Sequence, residues 1–177
     1  KVRNEKALLK KQNKDIIPTP VYIKKSINFG TEKLRERPVI VGTGPAGIFA
    51  GLFLARNGYK PIILERGEDV ESRTRKINIF WEKGLLDTES NVQFGEGGAG
   101  TFSDGKLTTL INDERCRLVL EEFVKAGAPS DILYKNKPHI GTDLLKTTVK
   151  NIRQEIIANG GDLRFNAKVT DIIVKNG

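Results

Sequence analysis

A chain of 177 residues is enough for about one domain, and 38% hydrophobic with 29% charged residues is an ordinary globular composition. No run approaches the ~18 apolar residues of a membrane-spanning helix, and no apolar leader-like stretch lies near the start, so a cytoplasmic location with no membrane partner is expected. One cysteine, Cys116, and one histidine, His139, cannot form an internal disulfide, a CxxC redox pair or a Cys/His zinc centre, and no metal is expected. The net charge of +8 is unevenly placed: the first 37 residues hold 11 basic and 4 acidic side chains, while the rest is nearly balanced. This separates a basic segment, 1–36, from a second region, 37–177. A solvated piece of a small leading domain is the first reading of the basic segment, and protein docking and nucleic-acid contact are the others. Nucleic acid is disfavoured, since only Tyr22 and Phe29 interleave the charges.

In chain order, Val2 to Lys11 reads as a short helix with Ala7, Leu8 and Leu9 as its apolar patch, ended by Pro18 and Pro20. Val21 to Ile27 reads as an exposed edge strand and Phe29 to Arg37 as a connector. From Pro38 the texture changes. Val39 to Val41 is a β-branched run of the kind buried on both sheet faces. Gly42 to Gly47 is a glycine turn. Ile48 to Asn57 is helical, with Ile48, Leu52 and Ala55 on one side and Gly58 at its end. Pro61 to Glu65 is a second strand, completing a βαβ unit. Glu71 to Leu86 is a helix with Ile77, Phe80, Trp81 and Leu85 spaced for burial. Val92 to Lys106 is a long glycine-rich loop. Asp113 to Ala126 is a helix capped by Asp113, with Leu118, Val119, Phe123 and Ala126 inward and Cys116 in the core. Thr142 to Asn159 is a helix, and Leu163 to Phe165 and Val169 to Val174 are strands. The sequence contains no methionine and ends on Asn176-Gly177, a pair that favours a hairpin turn, so a longer polypeptide with a returning strand is expected.

The first motif is Gly42-Thr43-Gly44-Pro45-Ala46-Gly47, a GxGxxG turn between a strand and a helix, with Glu65 following 23 residues after Gly42. Gly42 permits the tight turn, Gly44 lets a pyrophosphate approach the backbone, and Gly47 lets the helix pack on the strand. The helix N-terminus offers N–H groups and a positive dipole end, and Pro45 there loses no useful donor. Glu65 is the candidate acceptor for an adenosine ribose, which favours FAD or NAD over NADP, and Arg66 can reach the adenine or a phosphate. A plain turn with a solvated Glu65 is the alternative.

The second motif runs from Gln93 to Lys106 and holds five glycines in fourteen residues. Such density frees N–H groups for an anion and lets backbone lie against a ligand, while Phe94, Phe102 and Leu107 supply anchors. Gly100 to Lys106 also fits the GxxxxGK spacing of a triphosphate loop, but position 107 is Leu where a Mg²⁺-holding hydroxyl is needed.

Together these stretches carry a resemblance. Glu36 to Gly67 resembles the FAD fingerprint of two-dinucleotide-binding-domain flavoproteins. Phe94 to Thr109, with Lys137 to Leu145, resembles a family of uncharacterised FAD-dependent, NAD(P)-utilising dehydrogenases, and LLKKQNKDI and VYIKKSI look like remnants of that family's small leading domain. The resemblance implies a Rossmann-like α/β FAD-binding fold with a central parallel sheet, here incomplete and preceded by a small α+β remnant. It implies FAD on Gly42, Gly44, Pro45, Ala46, Gly47, Glu65 and Arg66, with Gly97, Gly98, Ala99, Gly100, Thr101, Phe102, Ser103 and Lys106 around the pyrophosphate and flavin side. It places the adenine against the main chain of Val169, and a later glycine–aspartate FAD segment beyond Gly177. Catalysis would belong to the flavin, with NAD(P)H as a possible electron donor. Lys106, Asp104 and His139 are the candidate reacting side chains, against readings as a loop salt bridge and a structural histidine. An FAD-dependent tRNA-modifying enzyme and a flavin-binding regulatory protein without turnover are the alternative functions.

Overall fold

The computed structural model describes residues 3–10, 16–18, 31, 34–111, 113 and 115–175. The chain divides into two compact units, Lys1–Lys33 and Leu34–Gly177. In the first, Asn4 caps helix α1 (Glu5–Leu9) by accepting the Ala7 N–H at 3.0 Å. The strand expected over Val21 to Ile27 lies outside the described residues.

The second unit is an α/β layer structure of Rossmann type. Strands β1 (Val39–Val41), β2 (Ile62–Leu64) and β3 (Asp162–Arg164) form a parallel sheet in that order, with Val39 opposite Ile62 and Ile62 opposite Asp162. Helix α2 (Pro45–Arg56) follows β1, and α3 (Val70–Lys83), α4 (Arg115–Lys125) and α5 (Thr142–Ala158) lie between β2 and β3. Short 3-10 turns span Ala99–Phe102 and Ser130–Leu133.

The core sits between one sheet face and helices α2 and α5. Ile48, Leu52 and Ala55 of α2, Ile63 of β2, and Leu145, Val149, Ile152 and Ile156 of α5 are buried together. Gly51 makes this layer thin: a Cβ there would meet Ile63 Cδ1 at 2.4 Å. Helix α4 joins the cluster through Leu120, Phe123 and Val124, with the Phe123 ring edge-on to Phe49 at 5.2 Å. The inner face of α4 is therefore rotated from the one expected through Leu118 and Val119, and Cys116 is only half-buried.

Three further expectations are corrected. Strand β1 is not buried on both faces: Val39 and Val41 are 59% and 62% exposed, because α2 and α5 cover only the side that carries Ile40 and Ile63. In α3 only Val70, Arg73 and Ile77 are buried; Trp81 is 70% exposed, and the helix ends at Lys83 with Gly84 in the left-handed region, so Leu85 falls outside it. Val169 to Val174 forms no strand, and Ile172, Ile173 and Val174 are exposed. Alternation of apolar residues supplies a strand's propensity, but no neighbour among the described residues pairs with this segment.

Candidate functional site

The first motif forms a tight connection from β1 into α2. The Gly42 N–H donates to the Leu64 carbonyl at 2.7 Å, tying the turn to β2, and Gly42 has φ +92°, a conformation suited to glycine. Gly47 is required for packing: a Cβ there would lie 2.0 Å from the Gly42 carbonyl oxygen. Gly44 differs from both. Its φ is −63°, and a Cβ on it would meet no protein atom within 4 Å, so that position opens onto free space. Pro45 stands at the first helical position, and no side chain caps the N-terminus of α2. The first-turn N–H groups of Ala46 and Gly47 have no intrahelical acceptor, and the positive end of the helix is presented with them.

Glu65, at the end of β2, is buried and is not the solvated carboxylate of a plain turn. Its Oε2 accepts the Thr43 N–H at 2.8 Å and the Thr43 hydroxyl at 2.6 Å, while Oε1 accepts the Gly67 N–H at 2.9 Å. A carboxylate offers about four acceptor positions, so one is left, on Oε1. The side chain that was expected to face a ribose thus also fixes the turn on both of its flanks.

The glycine-rich loop is docked on that turn. Gly97 donates its N–H to the Thr43 carbonyl at 2.9 Å, and Glu96 donates its N–H to the Glu68 carbonyl at 3.0 Å. Gly98 lies so close that a Cβ would come within 3.3 Å of Gly44 Cα and Pro45 Cδ. Between these parts lies a cleft of about 360 Å³. It is lined by Val41, Gly42 and Gly44 from the turn, Leu64, Glu65 and Arg66 from β2 onward, Gln93 to Gly95 and Gly98 from the loop, and Ala167 to Val169 beyond β3. The last segment is held by the Ala167 N–H donating to the Glu65 carbonyl at 2.8 Å. At the rim, Arg66 sits 4.0 Å above the Phe94 ring and pairs with Glu89 at 2.7 Å, and Glu89 pairs with Lys168 at 2.9 Å. Hydrogen bonds from Lys168 and then Arg66 hold the Glu89 carboxyl below its usual range.

Of the residues singled out in the sequence, Gly42, Gly44, Glu65, Arg66, Gly98 and Val169 line this cleft. Pro45, Ala46 and Gly47 start the helix behind it, and Gly97 is buried beneath it. Ala99, Gly100, Thr101 and Phe102 form the 3-10 turn, where Thr101 is buried and Phe102 lies under Arg73 at 4.5 Å. Ser103 is exposed, and its hydroxyl donates to the Gly100 carbonyl at 3.1 Å. The candidate reacting groups are elsewhere. The loop ends in a short antiparallel pairing, with the Leu107 N–H on the Pro138 carbonyl and the Ile140 N–H on the Gly105 carbonyl, both at 2.9 Å. This places Lys106 opposite His139, and the Lys106 ammonium meets Asp104 at 2.6 Å with both side chains exposed. The triphosphate-loop spacing of Gly100 to Lys106 therefore ends in a backbone ladder rather than in a phosphate cradle.

Three contributors were missed in the sequence. Thr43 occupies a free position of the motif, yet its N–H and hydroxyl both engage Glu65. Phe94 is a cleft wall rather than only an anchor. Arg73, fully buried, donates to three carbonyls of the glycine loop: Asn91 at 2.7 Å, Glu96 at 2.7 Å and Gly98 at 2.9 Å. Nothing in a helix rich in charged residues distinguishes an interior arginine from a solvated one. Among the described residues no cluster of His, Cys, Asp or Glu could hold a metal, and no helix is long and apolar enough to cross a membrane.

The comparisons agree with the fold. Residues 37–79, which run from β1 through α2 and β2 into α3, match the FAD binding domain family. An uncharacterized protein of Clostridium beijerinckii (strain ATCC 51743 / NCIMB 8052) is 58% identical over 176 residues, covering 99% of this chain and 33% of the relative. The chain thus spans about a third of that relative's length. The fold is a Rossmann-like FAD-binding α/β fold, and the match supports FAD as its nucleotide.

Proposed function

We propose that this chain supplies the FAD-binding part of a flavin-dependent oxidoreductase of the dehydrogenase type, with a nicotinamide nucleotide as electron donor or acceptor and a small molecule as substrate. The observation that carries the reading is the meeting of the two motifs on one cleft: Gly97 and Gly98 close on Thr43, Gly44 and Pro45, and a Cβ at Gly44 would project into open space. A dinucleotide fits these residues. The uncapped N-terminus of α2 would receive the pyrophosphate, as at other helix termini that bind phosphates. The remaining acceptor position of Glu65 would take a ribose hydroxyl, and the main chain near Val169 would lie beside the adenine. Arg66 and Lys168 share Glu89, so the rim keeps a net positive charge that would face a doubly anionic group. When bound, FAD supplies hydride and electron transfer at its ring, and the protein binds and orients it.

The test uses the full-length, flavin-loaded protein under anaerobic conditions. Addition of NADH or NADPH should bleach the long-wavelength flavin band, with one nucleotide faster than the other. A bound flavin that neither NADH nor NADPH reduces, and that neither NAD⁺ nor NADP⁺ reoxidises after chemical reduction, would remove the dehydrogenase reading while leaving FAD binding intact.

A further inference from the structure

We propose that Arg73 is a positioning residue for the cofactor cleft: its buried guanidinium holds the Asn91–Gly98 stretch in register on the phosphate turn before any nucleotide arrives. The proposal deepens the flavin-binding reading and rests on it for the identity of the ligand.

Arg73 is 0% exposed, and its guanidinium reaches back from α3 under the loop. Nε donates to the Asn91 carbonyl, and Nη1 donates to the carbonyls of Glu96 and Gly98. These three acceptors bracket the loop from its entry to the residue that abuts Gly44 and Pro45. The Phe102 ring lies 4.5 Å from the guanidinium carbon, so the 3-10 turn that follows is gathered by the same group. Gly95 is moulded to the side chain, since a Cβ there would meet Arg73 Cδ at 2.6 Å.

Carbonyl oxygens are weak counterions, so an arginine placed among them serves geometry more than charge neutralisation. The planar fork addresses several acceptors at fixed angles, which an ammonium cannot do from one point. Arg73 makes no ion pair within 4 Å among the described residues, and Nη2 is buried without a hydrogen-bond partner. Glu65 and Glu96 offset the charge from a distance. A surface salt bridge could tether a loop more cheaply. A buried guanidinium on main-chain acceptors instead gives a loop of fixed shape, as a cleft assembled from glycine backbone requires.

The test reads the loop directly, in the full-length protein stripped of flavin. In the wild type, the Glu96 and Gly97 amides, which donate to Glu68 and Thr43, should exchange hydrogen as slowly as those of α2. A glutamate-specific protease should spare the bond after Glu96. Arg73→Lys should accelerate both by tenfold or more while far-UV dichroism and the exchange of α2 are unchanged, and should weaken FAD binding by a similar factor. In Arg73→Ala, millimolar methylguanidinium should restore slow exchange, a rescue that a merely space-filling role would not give. Should the variants fail to fold, fast exchange at Glu96 and Gly97 in the flavin-free wild type would still overturn the proposal. So would an Arg73→Lys protein with wild-type exchange and wild-type FAD affinity. A wild type with slow loop amides that fails to bind FAD would instead overturn the flavin reading and leave Arg73 in its role.

Discussion

Gly97 donates its backbone N–H to the carbonyl of Thr43 at 2.9 Å, so two glycine motifs separated by some fifty residues share a hydrogen bond. That bond joins the loop to the turn at the residue whose own N–H is held by Glu65. The cleft is consequently built from main chain whose placement depends on three buried charged side chains, Glu65, Arg73 and Glu96. This dependence sets the predictions that follow.

Two neighbouring glycines should separate binding from folding. Gly44→Val adopts an ordinary backbone conformation and projects into the cleft, so it should abolish flavin retention with little change in melting temperature. Gly47→Val drives a side chain into the Gly42 carbonyl and should cost about 1–3 kcal/mol or more in stability. Thermal melts of both flavin-free variants, paired with FAD titrations, check this. Retained yellow colour in Gly44→Val would count against the phosphate-turn assignment.

Glu65→Gln should destabilise the turn. Both carboxylate oxygens accept backbone N–H groups, from Thr43 and Gly67. An amide has only one acceptor oxygen, so its NH₂ must face one of those donors. The Thr43 hydroxyl can rotate away, but a backbone N–H cannot. The cost expected for a buried donor left unpaired is about 1–3 kcal/mol. Denaturation of the flavin-free protein measures it, and an unchanged midpoint would show that the Glu65 bonds carry no net stability.

The buried carboxyl of Glu96 gives a pH signature. Burial pushes it up to about 7, against the attraction of Arg153 and a hydrogen bond from the Val70 N–H. The folded state then holds this proton more tightly than the unfolded chain, so its contribution is greatest at low pH. It is lost as pH rises from roughly 4.5 to 7, by at most about 3 kcal/mol. Glu71 acts in the opposite sense. Burial alone would raise it, but Lys150 and Arg153 hold it at about 2, so its contribution is present above roughly 4.5 and disappears as pH falls toward 2. Melting curves of Glu96→Gln and wild type should therefore diverge in the variant's favour between about pH 5 and pH 7.5. A constant difference across that window would contradict the burial assignment.

Lys106 and Asp104 should be dispensable for folding. Their ion pair is exposed on both sides, where water and salt screen it, so its contribution to stability is small. Lys106→Ala and Asp104→Asn should melt within a few degrees of wild type and keep bound flavin. A loss of turnover without loss of flavin would return them to the list of reacting groups, and unchanged turnover would confine them to the surface.

The β1–turn–α2–β2 unit was legible because its signals are local: β-branched runs, a glycine pattern and an acid at the right interval. Residues whose role depends on distant partners were not. Trp81 and Leu85 follow the helical repeat, but the repeat cannot say whether anything packs there. The rotation of α4 toward Leu120 and Val124 is set by Phe49 and α5, which lie far away in sequence. Arg73 was invisible because its partners are carbonyls, which every residue carries. Glu65 lines the cleft, and its bonds to Thr43 and Gly67 follow from the turn's shape and not from the motif's letters.

The most direct measurement is the absorption spectrum and flavin content of the purified full-length protein. A flavin spectrum with FAD near one equivalent per chain, retained through gel filtration, is the result expected from the cleft. A colourless protein that takes up no added FAD would contradict it.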